Sequence, residues 1–277
     1  MRQSAIHVLL LVTLVLFFSN RTVSQVAVGE WSAHISYDQI IAITGSADGI
    51  YAASERGIQV YKKQENHYQT LTTVNGLSEA DLSEIFYSPA NNMLCIGYKS
   101  GNFDILKKGE ITNFPQIYEQ SIYTEKTIND IIENQSQLLL ATDFGILEFS
   151  GSGEMFGETY SLEEGQNIKV FELALSESYI YAASEQGVYF ANRNAILTQP
   201  SNWSRMGFIP EFDSPFNCLV VFDDKVIVNY FNSLGNDKVY SVMNNSSAQL
   251  VTDTEEKIND LHATSNRLHV ATDNSIE

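Results

Sequence analysis

Four glycines, Gly57, Gly101, Gly145 and Gly187, recur at intervals of 44, 44 and 42 residues, and Ser275 follows 88 residues after the last, two further periods with one degenerate copy between. Around each lies the same short unit: an apolar strand, a polar two-residue turn, a second strand rich in Ala and aromatics, and a third strand. A period of this length admits few architectures, because self-similarity at 40 to 45 residues belongs to stacked supersecondary units. Helical solenoids of similar period would show apolar spacing of 3.6 residues, which is absent, and parallel β-helices repeat at shorter intervals.

Six copies align. Their first strands are expected at Ile40 to Thr44, Leu82 to Tyr87, Ile128 to Ile132, Val170 to Leu175, Cys218 to Phe222 and Ile258 to His262. Each runs into a turn of residues that tolerate tight geometry or bond their own backbone: Asp48-Gly49, Asn91-Asn92, Gln135-Ser136, Glu177-Ser178, Asp223-Asp224 and Ser265-Asn266. The second strands, such as Ile50-Tyr51-Ala52-Ala53-Ser54 and Ile180-Tyr181-Ala182-Ala183-Ser184, place small residues after a large apolar one. Small residues suit the crowded layers where radially packed sheets converge. The recurring glycine is expected to supply a positive φ at the turn into strands such as Ile58 to Tyr61 and Ile146 to Phe149.

The pattern predicts an all-β chain, a β-propeller of four-stranded blades with a period of about 43 residues. Fourth strands are expected around Tyr68 to Leu71, Ile111 to Phe114 and after Trp203. Five periods and most of a sixth are present, so the propeller is expected to be incomplete at its C-terminus and the isolated chain marginal or aggregation-prone, since an open ring leaves strand edges unpaired.

Residues 1–24 carry Arg2, an apolar run from Ile6 to Phe18 and then Ser19, Thr22 and Ser24, which reads as a secretory signal peptide, with the propeller occupying 25–277. The apolar run is shorter than the ~20 residues of a spanning helix. Formal net charge is −18, and no Lys/Arg cluster offsets it, so a nucleic-acid partner is not expected. Cys95 and Cys218 lie in apolar strand-like runs and are expected to be buried thiols rather than a disulfide.

No HExxH, CxxC, Gly-x-Ser-x-Gly or Walker loop occurs, so no catalytic residue, metal site or cofactor is expected. His262 and His269 fall on adjacent strands of one hairpin and read as structural, as do the acids Asp223-Asp224 in a turn and Glu163-Glu164 in a loop. A propeller lyase or glycosidase would need convergent carboxylates or a Tyr/His pair near the axis. The inner positions read as Ala, Ser and Ile, so none is expected there. Propellers bind through loops at the ring faces. The candidate partner-docking segment is therefore an insertion assigned to the fifth blade and bearing Trp203, Phe208, Phe212 and Phe216.

Several runs are more specific: Gly29-Glu30-Trp31-Ser32-Ala33-His34-Ile35-Ser36-Tyr37, Asn75-Gly76-Leu77-Ser78, Gly97-Tyr98-Lys99-Ser100-Gly101-Asn102-Phe103-Asp104 and Lys126-Thr127-Ile128-Asn129-Asp130-Ile131. These resemble the N-terminal propeller of PorZ proteins, from about Gly29 to the C-terminus. The resemblance implies a non-enzymatic subunit of the type IX secretion attachment complex, at the outer-membrane cell surface. It also implies a cysteine-protease sortase and an outer-membrane barrel as partners, and a part in presenting anionic lipopolysaccharide to the sortase. Such proteins continue into a second propeller and a C-terminal sorting domain, neither present here. The Asn-Gly-Leu-Ser run is shared with sensor propellers of hybrid two-component regulators, and a periplasmic ligand sensor is the alternative.

Overall fold

The computed structural model describes residues 39–253 and 256–273, which belong to one unit. The leader, the run from Gly29 to Tyr37 and Ser275 lie outside the described residues. Blade 1 comprises β1 (Ala42–Gly45), β2 (Gly49–Ser54), β3 (Gly57–Lys62) and β4 (His67–Leu71). Blade 2 comprises β5 (Leu82–Ser88), β6 (Met93–Tyr98), β7 (Phe103–Lys107) and β8 (Glu110–Asn113). Blade 3 is β9 (Ile128–Asn134), β10 (Gln137–Thr142), β11 (Gly145–Ser150) and β12 (Met155–Tyr160). Blade 4 is β13 (Val170–Leu175), β14 (Tyr179–Ser184), β15 (Gly187–Asn192) and a two-residue β16 (Ser204–Arg205). Blade 5 is β17 (Phe216–Phe222), β18 (Lys225–Tyr230), β19 (Lys238–Met243) and β20 (Ser247–Asp253), and the hairpin β21 (Ile258–Ala263) with β22 (Leu268–Thr272) begins blade 6.

Each sheet is an antiparallel meander in chain order. The expected strands are all present, most of them a residue or two longer or shifted. The tight turns follow from their residues: Asp223 and Asp224 both take positive φ, at 51° and 59°, as a two-residue hairpin turn of the I′ kind demands. Gly145 and Gly187 lie at φ 132° and 124°, where a Cβ would also strike the carbonyl oxygens of Tyr160 and Phe212, respectively. Gly57, by contrast, does not adopt a positive φ, so the recurring glycine is not everywhere a backbone requirement.

Alternation along the strands gives each blade two apolar faces, and the blades stack in one direction. Ala53, Ile58 and Val60 of blade 1 pack on Ile85, Leu94 and Ile96 of blade 2. Cys95, Phe103 and Ile105 of blade 2 pack on Ile131, Leu138 and Leu140 of blade 3. The same relation joins blade 3 to 4, 4 to 5 and 5 to 6. Both cysteines are buried and free, as expected. The position held by Ile85, Ile131, Leu173, Leu219 and Leu261 is at most 3% exposed, whereas its counterpart in blade 1, Ile43, is 68% exposed. That contrast marks the one blade face not covered by a preceding blade among the described residues.

Close approach is severe at Gly97, where a Cβ would lie 2.9 Å from both Cβ and Cγ2 of Ile128 in the next blade. The obstacle is the branched root of a buried side chain, which cannot swing away. Gly97→Ala is expected to cost about 1–3 kcal/mol through overpacking, measured by urea unfolding. A neutral result would mean that blades 2 and 3 do not meet this closely.

Candidate functional site

The first strand of every blade is an edge strand, and successive first strands lie side by side without forming a ladder. Their inward N–H and C=O groups therefore need other partners. A β-bulge recurs at one position in five of them, at Ser83, Asn129, Phe171, Asn217 and Asn259, each skipped by the register of its partner strand. Bulges re-aim the side chains beside them. Three of the bulged residues reach the next blade: Ser83 Oγ donates to Ile128 O at 2.7 Å, Asn129 Nδ2 to Val170 O at 2.8 Å and Asn217 Nδ2 to Ile258 O at 3.2 Å.

The residue after each bulge is Glu84, Asp130, Glu172, Cys218 or Asp260, so four of five blades aim a carboxylate at the centre of the stack. Asp130 Oδ2 accepts from Leu173 N of the next blade at 2.8 Å, and Glu172 Oε2 from Leu219 N at 2.7 Å. Glu84 Oε1 and Asp130 Oδ1 accept from the N–H groups of Ile85 and Ile131. The acids interact across the axis as well as around it. Burial pushes Asp130 up to about 6, against the pull of its two backbone donors, and Asp260 from blade 6 adds to the rise. Glu172 and Glu84 are raised well above the usual carboxylate range, first by burial and then by the charge of Asp130. All three keep partial water contact.

This corrects the expectation that the inner positions offer only Ala, Ser and Ile. Those small residues are on the second strands: Gly97, Ala141, Ala183 and Ala271 stand directly opposite Glu84, Asp130, Glu172 and Asp260. The signal was legible as an acid two places after the leading apolar residue in Leu82-Ser83-Glu84, Ile128-Asn129-Asp130, Val170-Phe171-Glu172 and Ile258-Asn259-Asp260. No cluster of three or more His, Cys, Asp or Glu is placed to hold a metal ion among the described residues. His262 and His269 face one another directly across the last hairpin. The bonds that the acids make to neighbouring backbone give them a stitching role.

A second polar cluster ties the Asn75–Ser78 run to the Gly97–Asp104 run. Asp104 is fully buried and accepts from Ser78 N at 2.9 Å, Ser78 Oγ at 2.7 Å, Tyr98 Oη at 2.6 Å and Asn113 Nδ2 at 2.8 Å. The Tyr98 phenol is pushed up, first by burial and then by the carboxylate it donates to. The connection between blades is thereby clipped to the third strand of the following blade. Tyr189 Oη to Glu163 at 2.6 Å and Tyr240 Oη to Glu211 at 2.7 Å repeat the device in blades 4 and 5.

The candidate docking aromatics do not share one surface. The insertion divides: residues 193–203, ending in Trp203, form a long connection between β15 and β16 and so belong to blade 4, Phe208 and Phe212 lie in the linker from blade 4 to blade 5, and Phe216 opens β17 of blade 5. Trp203 is 6% exposed, packs into the core between blades 3 and 4 and donates from Nε1 to Leu197 O at 2.9 Å. Phe216 opens β17 fully buried, and Phe208 is half-buried against the same core between blades 4 and 5. Only Phe212 is exposed, with the Arg205 guanidinium 5.5 Å from its ring. Sequence alone could not separate these cases, because an aromatic in an insertion reads the same whether it plugs the core or leaves it. The insertion does build a cavity of about 570 Å³, lined by Glu163, Glu164, Tyr189, Pro200, Trp203 and Arg205 among others.

Four-stranded meanders stacked face to face about a line of inner strands define a β-propeller. The family model of the PorZ N-terminal β-propeller domain of the type IX secretion system matches residues 50–204, more than half of the sequence, and the chain belongs to that family. No curated protein matches it. Among solved structures it is similar to PorZ, an essential bacterial surface component of the type IX secretion system of Porphyromonas gingivalis, at 21% identity and a TM-score of 0.73 over 90% of this chain. The chain spans 32% of that protein's length. The computationally designed Ika8 protein (12% identity, TM-score 0.57, 86% of this chain and 69% of that one) shares the fold. So does the extracellular domain of a putative one-component system from B. thetaiotaomicron (12%, 0.53, 86% and 39%).

Proposed function

We propose that the chain is a non-enzymatic scaffold subunit of a type IX secretion attachment complex. In this reading it is exported by its leader to the outer-membrane cell surface and helps to present anionic lipopolysaccharide to a sortase beside an outer-membrane barrel partner. The observation that carries the reading is the family match over residues 50–204. The axial acids are consistent with it, being engaged in holding blades together. The sensor alternative is supported only by a shared fold at 12% identity.

Deleting the gene tests the reading. Cargo of the type IX route should then fail to become anchored at the cell surface, and re-expression should restore it. Normal anchoring in the deletion strain would contradict it.

A further inference from the structure

Blade 4 breaks the repeat in its outer half. In blades 1, 2, 3 and 5 the connection from third to fourth strand takes residues 63–66, 108–109, 151–154 and 244–246, whereas in blade 4 it takes residues 193–203. The fourth strand shrinks with it, to a β16 that pairs only with Tyr189 and Phe190. The long connection is held in one shape: Asn202 N donates to Gln199 O at 3.0 Å, Trp203 N to Pro200 O at 3.0 Å and Asn202 Nδ2 to Ile196 O at 2.9 Å. The buried Trp203 fixes it to the core between blades 3 and 4. Connections that outgrow their neighbours and pack on themselves are where a scaffold carries binding groups. Here the product is the cavity of about 570 Å³, within the ~300–1,000 Å³ of small-molecule sites.

Charges of both signs line this cavity without cancelling. The Arg205 guanidinium lies 5.5 Å from the Phe212 ring and 6.0 Å from the Tyr189 ring, contacts that steady its plane. Its one hydrogen bond among the described residues runs from Nη1 to Gln186 O at 3.3 Å, so most of its five donors are free. It makes no ion pair there either, although acids outnumber lysines and arginines 34 to 16 in the chain. Glu163 is occupied, accepting from Tyr189 Oη at 2.6 Å and Gln166 Nε2 at 2.9 Å. Glu164 is exposed, lines the same cavity and likewise makes no ion pair among the described residues. Two acids beside one arginine repel a ligand that is only anionic. Trp203 and Tyr189, the aromatic side chains of the lining, are buried and offer no open ring face to a sugar. A free guanidinium and a free carboxylate in one cavity match a molecule that carries the opposite pair.

We propose that the blade 4 cavity is a binding site for a zwitterion of the amino-acid or short-peptide class, its carboxylate taken by Arg205 and its ammonium by Glu164. A guanidinium fork makes two parallel N–H···O bonds to a carboxylate, which a single point charge does not. Gln199 and Ser201, in the same lining, supply donors and acceptors for the amide groups of a peptide. The site goes beyond the scaffold reading and does not depend on it.

The test is calorimetry of the full chain with alanine, dialanine and trialanine, followed by the N-acetylated and C-amidated forms of whichever binds most tightly. Blocking either end should weaken binding by about tenfold or more, the loss of one charge-assisted contact. Arg205→Gln should weaken the unblocked ligand by a similar factor and abolish the effect of amidation. Glu164→Gln should do the same for acetylation. Arg56→Gln, an exposed arginine of blade 1, should change nothing. Arg205 and Glu164 are exposed, so both variants should fold, which unfolding curves verify, and the blocked ligands on the parent chain decide the matter without any substitution. No binding of the three ligands at millimolar concentration, blocked forms that bind as well as free ones, or indifference to both substitutions would overturn the proposal. Such a failure removes this site and leaves the secretion reading, tested by gene deletion, untouched.

Discussion

Asp104→Ala should destabilise the chain by about 2–4 kcal/mol, because it strips the acceptor from four donors, one of them the fully buried Tyr98 hydroxyl. Ser78 Oγ can rotate to seek another partner. Asn113 keeps its bond to Asn102 Oδ1 at 2.8 Å, but the fully enclosed Tyr98 hydroxyl is left without an acceptor. The loss falls at the clip between the first linker and blade 2, so it should loosen packing on both sides. Stability of ordinary domains is about 5–15 kcal/mol, so a large part of it would be gone, and the melting temperature should drop by roughly 10 °C or more. Tyr98→Phe removes one donor and leaves the carboxylate with three, and should cost much less. Equal unfolding midpoints for Asp104→Ala and the parent chain would show that this network is not formed in solution.

Stability should also fall as pH rises from about 4 to 8, the reverse of an acid-denaturing domain. The raised acids set the sign. A carboxyl whose pKa is higher folded than unfolded holds its proton more tightly in the folded state, so its contribution is complete below the unfolded value and is lost as pH climbs through the folded one. For Asp130 that window runs from about 4 to about 6, worth about 3 kcal/mol before discounting for its partial exposure. Glu84 and Glu172 extend the loss to higher pH. Asp143 has the opposite sign: burial alone would raise it, but its bonds to Lys169, Asn129 and Thr127 hold it below the usual range, so its contribution is complete above the unfolded value and is lost only as pH falls below it, outside this window. Asp130→Asn should flatten the profile between pH 4 and 6, read by thermal unfolding across the range. A profile rising through that interval would mean the acids are separately solvated.

Most of the architecture was written in period and turn chemistry. The glycine spacing, the alternation within strands and the polar pairs between them each constrain local geometry, so first, second and third strands could be placed closely. Fourth strands were weaker because their outer face is solvated and the apolar signal fades, as in His67–Leu71, where only Leu71 is not exposed. In blade 4 the strand shrinks to Ser204–Arg205. The axial acids were missed for a different reason. A bulge shifts the alternation by one residue, so Asp130 reads from sequence as a solvent-facing strand position, and only the convergence of blades far apart in sequence puts it beside Asp260. Trp203 and Phe216 are buried, which the sequence did not show because the burial of an aromatic outside the repeat pattern depends on where the neighbouring blade stands.

The convergence of first strands on one axis, which makes the stack a propeller, is tested most directly by the titration of a single carboxyl. Carbon-detected NMR of the Asp130 side chain should give a midpoint of about 6, moving down when Asp260→Asn removes the charge contributed from blade 6. A midpoint near the ordinary ~3.9 of aspartate, unmoved by that substitution, would mean that the blades do not meet around a common centre.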